Sequence, residues 1–367
     1  MQEKMTNQLP DPFLFKDGKR VCDEAGWRRR RLELLDSLVE LEYGGLPPVP
    51  AHTELEIFNR SQVRRFPDAP RYISCRVKTA PNLSFQFILY LLVPPGDGPF
   101  PVVLTGDGCY NYYADEIAVE ALRRGNIAAH FNRCEIVPDM YNSERTSGLY
   151  RVYPDGHYGA LAAWAWGYHR CVDVLQALEF VDPARIAVIG HSRGGKTALL
   201  AGATDERIAL TCANNSGCGG AGCFRWQGPE SETLERILRS VPYWFGPNLK
   251  EFIGKEHLLP FDQHCLKALV APRPLLTNEA LGDLWANPSG TWQTHAAARE
   301  VYRFLKVPDK IGLWCRDGGH DLGYADWMAF FDFIDWHFRG KPPGPDRFYD
   351  RNPFPDLSRA YSWAMPE

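Results

Sequence analysis

With 367 residues and a mass of 41.6 kDa, the chain is long enough to bury a large apolar core, in one large domain or two. A content of 45% hydrophobic and 23% charged residues, with mean hydropathy −0.33, excludes disordered, collagen-like and coiled-coil classes. The net charge of −4 and pI near 6.2 leave no basic excess to neutralise phosphates, so neither nucleic acid nor an anionic membrane surface is an expected partner.

The longest apolar stretches, Phe85–Pro95 and Gly159–Tyr168, fall short of the roughly 18 residues a membrane-spanning helix needs. Met1 to Lys19 has no apolar leader core, so the chain as given is expected in the cytoplasm, or outside the cell if a signal peptide has been trimmed. The ten cysteines show no CxxC pair and no spacing suited to zinc, which predicts buried free thiols and no metal centre. Aromatics make up 13% of the chain, with 11 Trp, more than a core of this size usually takes and a hint of a carbohydrate-facing cleft.

In chain order, residues 24–43 carry Trp27, Leu34, Leu35, Leu38 and Leu41 at helical spacing, and Gly44–Pro50 ends that helix, so 24–50 reads as an N-terminal cap helix and turn. Thr53–Phe58, Tyr72–Lys78 and Phe85–Val93 follow as strands separated by turn-formers, the antiparallel opening of a sheet. Then strands and helices alternate: strand Pro101–Thr105, helix Ala114–Arg123, strand Ile127–Phe131, a long helix Tyr158–Phe180, strand Arg185–Gly190 and helix Arg193–Ala203. The alternation resumes with strands Ile208–Ala213, Leu275–Asn278 and Lys310–Cys315 and helices near Thr291–Phe304 and Trp327–Phe338. Such alternation means βαβ units on a mostly parallel sheet. Residues 214–262 are rich in Gly, Pro and aromatics and read as an insertion above that sheet, and 341–367 as a tail on the surface. The expected architecture is one α/β domain.

Gly190-His191-Ser192-Arg193-Gly194 sits between the apolar strand Ile186–Ile189 and an Ala- and Leu-rich helix, the context of a GxSxG nucleophile elbow. Such a turn is strained and closely packed, which requires small residues beside the serine and presents its hydroxyl at a helix N-terminus. The same stretch also spells a phosphate-binding loop, Gly190-x-x-x-x-Gly195-Lys196-Thr197. A P-loop NTPase would place that loop after an early strand and supply a second apolar strand ending in Asp; here Ile208–Ala213 runs into Asn214-Asn215.

A base and an orienting acid should follow the serine in the order acid, then His. Glu279 and Asp283 come after the strand Leu275–Asn278, and Asp317 and His320 after the next, all past strand C-termini, where open α/β sheets place their chemistry. The position of His320 after the last strand, approached through Gly318-Gly319, marks it as the base; both Glu279 and Asp283 are available as the acid.

The run Gly190-His191-Ser192-Arg193-Gly194-Gly195-Lys196, with Asp205–Leu210 and Ser216-Gly217-Cys218-Gly219-Gly220-Ala221, resembles the glucuronoyl esterases of carbohydrate esterase family 15, in their bacterial branch. Trp27, Tyr43-Gly44, Pro47-Pro48, Phe261-Asp262-Gln263-His264 and Ala271-Pro272-Arg273-Pro274 are similar to that family too, so the resemblance spans most of the chain. It implies an α/β-hydrolase three-layer sandwich with Ser192 as nucleophile, Arg193 as oxyanion stabiliser and Lys196 as a ligand of uronate hydroxyls. Two positions depart from the pattern. His191 stands where many members have a disulfide-bonded Cys, and Asn215 where the best-known members carry the acid; the members most like this chain place the acid where Asp283 lies.

The implied reaction is hydrolysis of a carbohydrate ester, foremost a 4-O-methyl-glucuronoyl ester, through an acyl-enzyme and without cofactor. The oxyanion would meet Arg193 and the turn Gly106-Asp107-Gly108-Cys109, while Trp285 flanks the sugar and Arg225, Trp226 and Trp244 shape the leaving-group side. Acetylxylan or other acyl ester hydrolysis on the same Ser192–Asp283–His320 triad is the nearest alternative, since some related sequences carry that label. A non-catalytic sugar-binding module and an NTPase are more distant ones.

Overall fold

In the computed structural model, residues 4–5, 8–110, 113–141, 145–344 and 352–367 are described. The strands are β1 (Lys4–Met5), β2 (Glu54–Gln62), β3 (Arg71–Thr79), β4 (Phe85–Val93), β5 (Phe100–Thr105), β6 (Ile127–Phe131), β7 (Val181–His191), β8 (Leu210–Asn214), β9 (Trp226–Gln227), β10 (Leu275–Ala280) and β11 (Ile311–Arg316). β1 and β9 form a small antiparallel ribbon. The other nine make one sheet in the order β11-β10-β8-β7-β5-β6-β4-β3-β2. From β11 to β6 every neighbour pair is parallel, and β4, β3 and β2 continue antiparallel, as the change of rhythm in the sequence predicts.

Burial follows from this placement. β5 is flanked by strands and helices on all sides, and Val102, Val103 and Leu104 are all buried, whereas β4 alternates buried and more accessible residues. Successive residues point to opposite faces, so Val102, Leu104, Ile186 and Val188 join one core and Val103, Ala187 and Ile189 the other. The first core packs beneath helices Glu24–Leu38, Ala160–Leu175, Arg193–Thr204 and Gln263–Ala268; the second beneath Asp115–Arg123 and Tyr324–Arg339. Helix, sheet and helix make the three layers of an α/β-hydrolase sandwich.

Three expectations change. The helix expected over Tyr158–Phe180 ends at Leu175, because the chain must reverse before β7: the Phe180 carbonyl accepts the Phe100 N–H at 2.8 Å, and Val181 already pairs with Phe100. β10 runs on to Ala280, so Glu279 lies inside a strand and not in the turn after it. The tryptophans are mainly core residues, Trp27, Trp164, Trp166 and Trp327 being among the largest fully buried side chains, and Trp285 is the exposed one among the described residues. Cys75, Cys171, Cys212, Cys218, Cys223 and Cys265 are buried free thiols. The far C-terminus packs against the N-terminal segment, the Ala360 carbonyl accepting the Leu9 N–H at 2.7 Å. Among the described residues no helix is long and apolar enough to cross a membrane.

Candidate active site

The chain order reverses between β5 and β7, which are neighbours in the sheet but separated in sequence by β6 and the helices on either side of it. Ligands of open α/β sheets bind outside the strand ends at such a switch point. Here the two strand ends are tied together: the buried Asp107, just past β5, accepts the backbone N–H of His191, the last residue of β7, at 2.8 Å.

One residue separates β7 from the helix Arg193–Thr204, and that residue is Ser192, with φ 55° and ψ −121°. Its backbone N–H donates to the Asn214 carbonyl at 2.9 Å, which anchors the turn on β8. A side chain at Gly190 would strike the Gly194 carbonyl, and one at Gly194 would strike the Asp107 carboxylate, so the two glycines are a steric requirement of the turn. No loop remains between strand and helix to cradle a phosphate. The Lys196 side chain is buried, its ammonium donating to the Ser216 carbonyl. The phosphate-binding spelling of residues 190–197 is thus not realised as a loop.

His320, in the turn after β11, donates from Nδ1 to Asp283 Oδ2 at 2.6 Å, an arrangement that leaves Nε2 as the basic nitrogen. Its ring lies 4.6 Å, centroid to centroid, from that of His191, the residue before Ser192. Asp283 Oδ1 accepts the Ala286 N–H at 3.4 Å, in the short turn Leu284–Ala286. Glu279 takes a different direction: buried in β10, it accepts from Thr291 Oγ1 at 3.0 Å. Burial pushes its pKa up to about 8 and that of the nearby buried Lys267 down to about 7.

The positions that depart from the family pattern are both occupied by tethers. His191 donates from Nδ1 to Asn214 Oδ1 at 2.6 Å, and burial lowers its pKa. Asn215, held at φ 41°, accepts the Ala280 N–H with Oδ1 at 3.0 Å and directs its amide to the Gly319 carbonyl at 3.5 Å, linking β8, β10 and the His320 turn.

The other expected residues divide. Arg193 is part-buried, its guanidinium paired with Asp139 at 2.7 Å and lying 4.8 Å from the ring centroid of Trp244. Gly108 begins the short turn Gly108–Tyr110, where a side chain would meet the Phe131 carbonyl at 2.8 Å. Trp285, 45% exposed, stands on the rim beyond Asp283 with the Arg236 guanidinium 4.8 Å from its ring centroid. Arg225 is not brought to the cleft: it is buried, pairs with Asp262 at 3.1 Å and donates to the Phe261 carbonyl at 2.6 Å, where it holds the segment 257–262. Trp226 is likewise buried, its indole N–H on Ser289.

Two acidic residues join the site without any sequence signal. Glu232, from the segment 214–262, feels the charges of Lys196, His320, Arg236 and Arg193, and burial raises its pKa. Asp139 holds Arg193. Neither comes directly after a strand or stands in a motif, and nothing in the one-dimensional pattern distinguishes them from other acidic residues. Among the described residues no group of three or more His, Cys, Asp or Glu side chains is arranged to hold a metal ion.

A strained serine, an imidazole oriented by a carboxylate and an adjacent guanidinium are the parts of a serine acyl-transfer centre. Comparisons with known proteins point to one family of esterases. The family model for fungal glucuronyl esterases matches residues 77–306. A carbohydrate esterase, MZ0003, from an unknown prokaryotic organism is 42% identical over 392 residues, covering 90% of each chain. The 4-O-methyl-glucuronoyl methylesterase of Podospora anserina is 33% identical over 318 residues, 84% of this chain, and the match spans 62% of that enzyme's length. Among solved structures, a family 15 glucuronoyl esterase from Caldicellulosiruptor kristjansonii superposes with a TM-score of 0.84 at 30% identity, over 98% of this chain and 97% of that one.

Proposed function

This chain belongs to carbohydrate esterase family 15, the glucuronoyl esterases, and from that premise we propose that it hydrolyses glucuronoyl esters of carbohydrates through an acyl-enzyme on Ser192. The observation that carries the reading is the Nδ1 bond of His320 to Asp283, with the His320 ring 4.6 Å from that of His191, the residue before a serine held in an elbow. His320 Nε2 takes the Ser192 proton as the oxygen attacks the uronoyl carbonyl, and the imidazolium returns it to the leaving alcohol. Water then repeats the sequence and frees the glucuronate. Asp283 keeps the imidazole in the required tautomer, and Arg193 with the turn at Gly108 receives the oxyanion.

The sugar side is formed by Lys196, Glu232 and Trp285. An ammonium has three donors, so the bond of Lys196 to Ser216 leaves two for sugar hydroxyls, while Glu232 offers acceptors and Trp285 an exposed ring face. The segment 214–262 serves as the wall of this cleft. A family 15 structure from a marine bacterial metagenome, 30% identical over 91% of this chain, is described as a promiscuous esterase, which supports other acyl esters, acetyl among them, as the second reading.

The test is turnover of benzyl glucuronate against an acetylated xylo-oligosaccharide, by the wild type and by Ser192→Ala. The glucuronate should be the better substrate. Ser192→Ala should lower kcat by about 10⁶, as losing a serine nucleophile does elsewhere, with the fold intact. A variant within tenfold of wild type refutes the triad; preferred turnover of the acetate replaces the first reading by the second.

A further inference from the structure

We propose that Asp139 is a positioning residue that aims the Arg193 guanidinium at the oxyanion. The inference rests on the reading of Arg193 as oxyanion stabiliser.

Asp139 lies beyond the short turn Arg133–Glu135 in the segment after β6, whose C-terminal end shares one side of the sheet with those of β5 and β7. Its two oxygens have separate tasks. Oδ1 accepts from Tyr243 OH and from Trp244 Nε1, each at 3.0 Å, and Oδ2 accepts from Arg193 at 2.7 Å. The carboxylate is thus fixed by two neutral donors of the segment 214–262, and one oxygen remains for the guanidinium. The Asp139 side chain is 8% exposed and that of Arg193 34%, so a buried anion grips the end of a more accessible, flexible arm. The Trp244 ring lies against the same guanidinium. Of the five N–H donors of an arginine, the bond to Asp139 leaves others for the oxyanion.

The clamp belongs to a longer frame. The fully buried Arg133 is ion-paired with Asp107 and lies 3.9 Å from Asp139. Asp107 in turn accepts the His191 N–H. Asp107, Arg133, Asp139 and Arg193 therefore form an alternating row of charges that sums to zero and runs from the backbone just before the nucleophile to the side chain just after it. Both flanks of Ser192 are referred to one buried frame. An oxyanion donor acts through its fixed aim, which is what loss of Asp139 would remove.

The test is a double-mutant cycle on benzyl glucuronate with Asp139→Asn, Arg193→Ala and the pair. The amide keeps an acceptor for Tyr243 and Trp244 but removes the anion. Asp139→Asn should lower kcat about tenfold, less than outright loss of an oxyanion donor, and leave KM within about twofold. In the Arg193→Ala background the same change should alter kcat less than about twofold, since residues that act as one unit are not additive. Equal losses in both backgrounds, or a loss confined to KM, overturn the inference. Where Asp139→Asn does not fold, Tyr243→Phe removes one of the fixing donors and should show the same dependence on Arg193 with a smaller loss; equal effects in both backgrounds again overturn it. Arg193→Ala with undiminished kcat would instead remove the premise, and this inference with it.

Discussion

Two acid and lysine pairs lie at different depths around β10, and similar side chains behave differently in each. In the upper layer, past the strand ends, Asp283 accepts the Nδ1–H of His320, and Lys196, whose pKa burial lowers against the opposing charge of Glu232, donates to the Ser216 carbonyl. In the lower layer, Glu279 and Lys267 are wholly buried and share the threonines of one helix: Glu279 accepts from Thr291 Oγ1, and Lys267 donates to the Thr291 carbonyl and to Thr294 Oγ1 at 2.8 Å. Burial moves Glu279 up to about 8 and Lys267 down to about 7, each toward its neutral form. An orienting acid must remain an anion while the imidazole becomes charged. The same functional group thus does two different things four residues apart: the carboxyl past the strand end reaches the imidazole, and the one inside the strand is pushed toward its neutral form against a threonine.

Substitutions can separate the layers. Asp283→Asn should give the largest effect, a fall in kcat of about 10⁴, the scale of an orienting carboxylate lost from a triad, with unfolding transitions close to wild type. Lys196→Ala should come next. It should lower kcat/KM for benzyl glucuronate by roughly 10- to 100-fold, the worth of a charged hydrogen bond to the sugar, and leave an aryl acetate within about threefold. Equal losses on both substrates would take Lys196 off the sugar side.

Glu279→Gln should be the mildest for catalysis, with kcat within about threefold of wild type, because its carboxyl does not touch His320. Its signature is in stability. A carboxyl whose pKa is raised on folding, from 4.5 to about 8, binds a proton in the folded chain that the unfolded chain has released, so its contribution falls as pH rises through that window. Chemical denaturation should therefore show the variant gaining on the wild type between about pH 5 and pH 8. A difference independent of pH would mean that Glu279 is charged in the folded state.

The parts of the site that hang from strand ends were legible because periodicity and glycine spacing locate strand ends. Ser192 is marked by Gly190 and Gly194, which the closeness of the Asp107 carboxylate and the helix backbone demand, and His320 by its place after the last strand. The choice between Glu279 and Asp283 was harder, since it depends on where β10 ends, and the strand runs two residues beyond its apolar pattern. The segment 214–262 was legible as an insertion but not in its contacts. Arg225 turns inward to Asp262, while Glu232, Tyr243 and Trp244 reach the cleft, and only tertiary packing decides which of them faces which way. Asp139 meets Arg193 across 54 positions of sequence, and no local pattern records that meeting.

Which carboxylate holds His320 decides the identity of the orienting acid, and proton NMR of the imidazole Nδ1–H reads that bond without reference to turnover. A strongly downfield imidazole proton should be present in the wild type, unchanged in Glu279→Gln and lost or moved far upfield in Asp283→Asn. Its persistence in Asp283→Asn together with its loss in Glu279→Gln would move the orienting role to Glu279 and contradict the Ser192–Asp283–His320 triad.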